Sequence, residues 1–116
     1  MKRISPEEAA AKMDEGYVYL DVRSVPEFET GHPKGAYNIP LMNLGASGMS
    51  PNSAFMEEVA KTFPQDSKII VGCKSGGRSV SAVTLMEMAG YKDLLEQRAG
   101  FDGNGRMYYV DANGTG

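Results

Sequence analysis

Cys73-Lys74-Ser75-Gly76-Gly77-Arg78 puts the only cysteine of the chain on a six-residue turn that also carries two glycines and two cations. A thiol reacts as its thiolate, which is favoured at a helix N-terminus, among free backbone N–H groups, or beside Lys or Arg. The turn is expected to supply all three. The apolar run Ile69-Ile70-Val71 leads in and a helical pattern from Ser79 to Ala89 leads out. Gly76 and Gly77 admit positive φ, so successive amides can point into one concavity that binds an anion. Lys74 and Arg78 add positive charge around it. The expected object is a small anion cradle with a nucleophilic sulfur at its base.

Other assignments fit these residues less well. A buried cysteine is often an inert small hydrophobe, but a glycine-rich cationic turn is an unusual place for one. Arg78 closes the turn where a cation is repelled by the helix dipole, which favours an anion partner over an idle surface charge. Lys74 reads equally as a field source at the mouth or as an ordinary solvated lysine. A phosphate-binding P-loop needs Lys and Ser or Thr directly after its second glycine, and Gly77 is followed by Arg78-Ser79. A cysteine protease needs a histidine base, and the single histidine, His32, lies in the turn "GHPKGA". Gly31 and Pro33 flank His32, which reads as a loop organiser. One cysteine forms no internal disulfide, and with one histidine a Cys/His zinc site is excluded. Of the eight methionines, Met13, Met56, Met86 and Met88 fit helix cores, and Met49 and Met107 fall in segments read as flexible, so core filling is preferred to copper binding.

The elements that must position the turn follow from periodicity and caps. Ser5-Pro6-Glu7-Glu8 matches a capping box with Pro at the first helical position, opening a short helix that Gly16 stops. Tyr17-Val18-Tyr19-Leu20 reads as a buried strand whose end delivers Asp21-Val22-Arg23 to a loop. Asp21 and Arg23 are expected to brace neighbouring loops by charge pairing rather than to act on substrate. Ser24-Val25-Pro26-Glu27 repeats the capping-box spacing and predicts a brief helical turn through Phe28. "AYNIPL" reads as a short strand, and "LGASGMSPNS" as a surface loop. Asn52 or Ser53 then caps a helix bearing Phe55, Met56, Val59, Ala60 and Phe63 at amphipathic spacing, ended by Pro64. Lys68 to Val71 is the clearest buried strand. The helix after the turn carries Val80, Val83, Leu85, Met86 and Met88 and stops at Gly90, and "DLLEQ" reads as a last strand. Residues from about 102 to 116 are glycine-rich and read as an irregular tail, in which Tyr108 and Tyr109 either cap the pocket or pack locally. Alternating strand and helix patterns predict an α/β domain with a mostly parallel sheet covered by helices on both faces. Ligands bind such sheets at the carboxyl ends of strands, where both Asp21-Val22-Arg23 and the cysteine turn fall.

Composition sets the outer bounds. A chain of 116 residues with 41% hydrophobic residues and no linker accommodates one domain, 1–116. Net charge is −3 and the twelve Lys and Arg are scattered, so nucleic acid and membrane are discounted as partners. The basic pair near the start has no apolar stretch behind it, and the chain reads as soluble and cytoplasmic.

Two blocks of the sequence resemble the single-domain rhodanese, or sulfurtransferase, family. "YLDVRSVPEFETGHPKGAYNIPL", residues 19–41, is similar to its N-terminal signature of Asp-x-Arg, Glu-Phe, Gly-His, Gly-Ala and Asn-Ile-Pro. "VGCKSGGRSVSAVTLMEMAGY", residues 71–91, is similar to its active loop, helix and glycine stop. The resemblance spans nearly the whole chain and implies a central sheet of about five strands. It implies that Cys73 takes sulfane sulfur from a donor such as thiosulfate, or a persulfide, and passes it to cyanide, a thiol or a sulfur-relay protein. It also implies that the loop from Lys74 to Ser79, including Ser75, Gly76 and Gly77, holds the persulfide, with Arg78 orienting the loop and with Asp21, Arg23, Glu27 and His32 bracing it. One cysteine suffices for that ping-pong cycle without metal or organic cofactor. The rival expectation is a persulfide carrier or redox-sensing module that turns nothing over. Phosphatases of related fold, and the arsenate-reductase-like enzymes beside them, are less favoured. Tyrosine-phosphatase-like loops are one residue longer than the four residues, Lys74 to Gly77, that separate Cys73 from Arg78. The animal thiosulfate-specific branch carries Lys at the place of Ser75 and Arg at that of Glu27, and the family's Leu-x-Gly-Gly-to-Trp ending appears only as "EQRAGFDGNGR".

Overall fold

The computed structural model describes residues 2–46, 48–73, 77–97 and 109–110. Five parallel strands form the central sheet in the order β1 (Lys2–Ile4), β8 (Asp93–Gln97), β7 (Lys68–Gly72), β2 (Val18–Asp21), β4 (Tyr37–Asn38). The three central strands carry Leu20, Ile69, Ile70, Val71 and Leu94, all buried. Near-continuous apolar runs are what a sheet covered on both faces requires.

Strand parity sorts the side chains to two cores. Leu20, Ile69, Val71 and Leu94 pack with Phe55 and Val59 of α3 (Phe55–Thr62) and with Ala82, Val83 and Met86 of α4 (Gly77–Met88). Tyr19, Ile70 and Leu95 project to the other face, against Ile4 and the Ala9 side of α1 (Pro6–Asp14). The α/β sandwich with helices on both faces is therefore as expected. α1 has its full capping box, with the Glu8 amide donating to Ser5 Oγ and the Ser5 amide donating to Glu8 Oε1, each at 3.1 Å. The short α2 (Val25–Thr30) repeats the device with Ser24 and Glu27 and runs slightly beyond Phe28.

Several expectations are corrected. The Gly- and Ser-rich stretch after Pro40 is a β-hairpin, β5 (Met42–Gly45) paired antiparallel with β6 (Gly48–Pro51), with Gly48 at φ 102° opening β6 and Met49 in the same strand. β6 is exposed throughout, so no buried alternation marks it as a strand. Ala54 is the N-cap of α3, while Asn52, just before it, accepts at Oδ1 from the Ala54 amide. On α4 the buried face is Ser79, Ala82, Val83 and Met86, whereas Leu85 is exposed and Met88 is 80% exposed, so Met88 is no core residue. Gly77 begins α4 and is not among the positive-φ glycines. The region read as a tail lies outside the described residues except for β9 (Tyr109–Val110), which pairs antiparallel with β3 (His32–Pro33).

Candidate active site

β7 ends at Gly72 and Cys73 follows it directly, on the parity of Ile69 and Val71. Gly72 is demanded by packing, since a Cβ there would overlap the Tyr19 ring. Cys73 is therefore held at the carboxyl end of a central strand, one register step from Asp21, which pairs with Gly72 across β2 and β7. The thiol is 2% exposed. Ser79, in the first turn of α4, meets it twice: its amide donates to Sγ at 3.3 Å, and its hydroxyl oxygen accepts from the thiol at 3.4 Å. An amide in the first turn has no intrahelical acceptor, so aiming it at sulfur satisfies the helix end and favours negative charge there.

Arg78 precedes Ser79 but its guanidinium turns to Glu27, donating to Oε1 at 2.6 Å and Oε2 at 3.0 Å. Those bonds and the Ser24 donors outweigh burial and draw the Glu27 carboxyl down to about 2, while Glu27 raises the Arg78 guanidinium. The Ser24 hydroxyl also donates to Glu27 Oε1, at 2.8 Å. The α2 capping box and the start of α4 are thereby joined through one carboxylate.

Asp21 and Arg23 form a second pair. Arg23 donates to both Asp21 oxygens at 2.8–3.0 Å and to Gly31 O at 2.6 Å, which fixes the loop that follows α2. Asn38 Nδ2 donates to Asp21 O at 3.0 Å and Arg23 O at 2.9 Å, closing the loop from the β4 side. His32 stacks on Phe28 with ring centroids 3.7 Å apart, and its Nδ1 lies 2.8 Å from Phe28 O.

The fold thus brings Cys73, Arg78, Ser79 and Glu27 together, with Asp21, Arg23 and His32 in the supporting loops. Lys74, Ser75 and Gly76 lie outside the described residues. Sequence reasoning passed over Glu96, which is fully buried on β8 and accepts from the Ser79 hydroxyl, and Arg3, which donates to Glu96 from β1 at 2.6 Å. The available signal was a carboxylate inside the apolar strand pattern "DLLEQ". Among the described residues no group of three or more His, Cys, Asp or Glu is arranged to hold a metal ion.

Comparison with known proteins agrees with this architecture. The Rhodanese-like domain model matches residues 5–103. The chain is 50% identical over 86 residues to thiosulfate sulfurtransferase 16, chloroplastic, of Arabidopsis thaliana, covering 74% of this chain and 72% of that protein. It is 34% identical over 104 residues to thiosulfate sulfurtransferase GlpE of Haemophilus influenzae, covering 88% of this chain and 86% of the relative. Two other plant relatives, senescence-associated protein DIN1 of Raphanus sativus and rhodanese-like domain-containing protein 15, chloroplastic, of Arabidopsis thaliana, are matched over only 47% of their length. In structure it is similar to Rv0390 from M. tuberculosis, with a TM-score of 0.76 at 24% identity over 99% of this chain and 86% of the other, a likeness of fold. The matched family model, the five-stranded parallel sheet and the cysteine at the end of its central strand lead to one assignment: the chain belongs to the rhodanese-like domain family.

Proposed function

We propose that this chain is a sulfurtransferase that carries sulfane sulfur on Cys73 as a persulfide, within a single rhodanese domain spanning 1–116. The observation that carries the reading is the Ser79 amide aimed at Sγ from 3.3 Å at the start of α4. A main-chain donor at that place favours an anion on the side chain, whether thiolate or persulfide. With thiosulfate as donor, the Cys73 thiolate attacks the outer sulfur, the S–S bond of thiosulfate breaks, and sulfite leaves with the bonding pair. An acceptor thiolate or cyanide then attacks the outer sulfur of the persulfide and returns Cys73 as thiolate. The cycle needs no metal or organic cofactor, because sulfur is nucleophile, carrier and leaving group in turn. Lys74, Ser75 and Gly76 complete the persulfide-binding loop in this proposal, and Arg78 orients it. Asp21, Arg23, Glu27 and His32 brace the surrounding loops. A cytoplasmic setting, where thiol acceptors stay reduced, suits the chemistry.

The Glu27–Arg78 pair favours a second reading. It neutralises a cation that would attract a dianionic donor, which suits a persulfide donor or a carrier that hands sulfur to a partner protein. Formation of thiocyanate from thiosulfate and cyanide tests the first reading. Wild type is expected to turn over and Cys73→Ser to lose essentially all activity; equal rates would remove Cys73 from the reaction. Intact mass after exposure to thiosulfate should rise by one sulfur in wild type alone. That gain without turnover, across cyanide, dithiol and glutathione, would establish the carrier.

A further inference from the structure

Whenever the Cys73 sulfur becomes an anion, its proton has to go somewhere. His32 is committed elsewhere, stacked on Phe28 with Nδ1 at the Phe28 carbonyl. A continuous polar path does leave the sulfur. The Cys73 thiol donates to Ser79 Oγ at 3.4 Å, the Ser79 hydroxyl donates to Glu96 Oε2, and Glu96 Oε1 accepts from Arg3 Nε at 2.6 Å. Ser79 and Glu96 are fully buried, whereas the Arg3 side chain is half exposed. A buried carboxylate is costly unless its partners satisfy it, and here one of the two partners also holds the candidate nucleophile.

The geometry points to Glu96 as a positioning residue that acts through Ser79 and takes up the proton the Cys73 sulfur gives up. The Ser79 hydroxyl has one proton and stands between two acceptors. When the S–H bond breaks, its proton passes to Ser79 Oγ, the original hydroxyl proton passes to Glu96 Oε2, and the bonding pair stays on sulfur. The carboxylic acid so formed donates to Ser79, whose hydroxyl now donates to the sulfur anion. Net charge in the cluster is unchanged, and its hydrogen bonds are reversed rather than lost. The Ser79 amide faces the sulfur in both states. Arg3 opposes the transfer, since its guanidinium favours ionised Glu96. Among the described residues, the other charges near the cluster are paired: Arg78 of α4 with Glu27, and Asp21 at the end of β2 with Arg23.

This inference rests on Cys73 being the reacting group, but its test needs neither donor nor acceptor. Loss of one result therefore leaves the other standing. Cys73 is the sole thiol of the chain, so the ultraviolet absorbance of the thiolate against pH, less that of Cys73→Ser, reads a single sulfur. Two acids that share one proton titrate in two macroscopic steps. Wild type is expected to show two steps with an intermediate plateau. Glu96→Gln keeps the acceptor shape but takes no proton, and should give one full step; Glu96→Asp should restore two. Arg3→Ala, at a half-exposed position, should raise the plateau by freeing Glu96 to hold the proton. A single full step in wild type, or a two-step curve retained in Glu96→Gln, overturns the inference. Should Glu96→Gln fail to fold, wild type and Arg3→Ala decide it: an unmoved plateau is equally fatal.

Discussion

Two ion pairs stand near Cys73, and they differ in how much water they keep. In Asp21–Arg23 the side chains are 2% and 4% exposed, and the guanidinium also holds the Gly31 carbonyl. In Glu27–Arg78 they are 24% and 18% exposed. Opening the first leaves a charge stranded in apolar surroundings, whereas the second can exchange its partners with solvent or with an anion. Both are arginine–carboxylate pairs with charge-assisted bonds, so chemistry alone does not separate them. Burial makes one a fixed brace and leaves the other adjustable at the start of α4.

Breaking the buried brace should have the largest effect. Arg23→Met is expected to cost about 3–5 kcal/mol in urea unfolding, because Asp21 stays behind without its partner. A cost below about 1 kcal/mol would erase the contrast between the pairs. Between them runs the strand end that carries the thiol, and Gly72→Ala should cost about 1–3 kcal/mol as the new methyl displaces Tyr19. Arg78→Met should cost less stability than Arg23→Met, yet lower sulfur transfer on the order of tenfold or more by releasing the start of α4. The reverse ranking would make Arg78 a structural brace.

Smaller effects sharpen the adjustable pair. Glu27→Gln keeps a neutral acceptor for Arg78 but removes the charge that neutralises it, and should lower KM for thiosulfate a few-fold, with a smaller change in kcat. An unchanged or higher KM would mean that the guanidinium does not attract the donor. The same variant tests acid stability. Glu27 is drawn down in the folded state, so its contribution is present above its ordinary value of 4.5 and is lost as pH falls through about 2. Wild type should therefore lose stability over that interval more steeply than Glu27→Gln, by denaturant midpoint against pH. Parallel curves would show that the pair adds nothing to folding.

Much of this was legible along the chain. Ser5 and Ser24 announce α1 and α2 because a capping box is local, needing only residues three apart to close. Ile69 to Val71 announce β7 because a strand buried on both faces must be apolar throughout. The hairpin from Met42 to Pro51 was not legible, since β6 is exposed throughout and has no buried face to pattern it. Leu85 and Met88 look like core on α4 but point to solvent, because the helix buries the narrower stripe of Ser79, Ala82, Val83 and Met86. Among the site residues, Cys73, Arg78 and Ser79 were legible from one turn, and Glu27 from the signature block. Arg3 and Glu96 were not.

By itself the order of residues determined which thiol is available, what caps the helices, and that the cysteine turn follows a strand and precedes a helix. These are matters of neighbours in the chain, where three or four residues settle the geometry. Only the tertiary structure decided that Arg78 spends its guanidinium on Glu27, 51 positions away, and that Ser79 reaches Glu96 across 17. It also joined Arg3 to Glu96 over 93 positions, through the parallel pairing of β1 with β8. Such contacts depend on strand order and register, set by burying two apolar faces at once, and no local spacing encodes them.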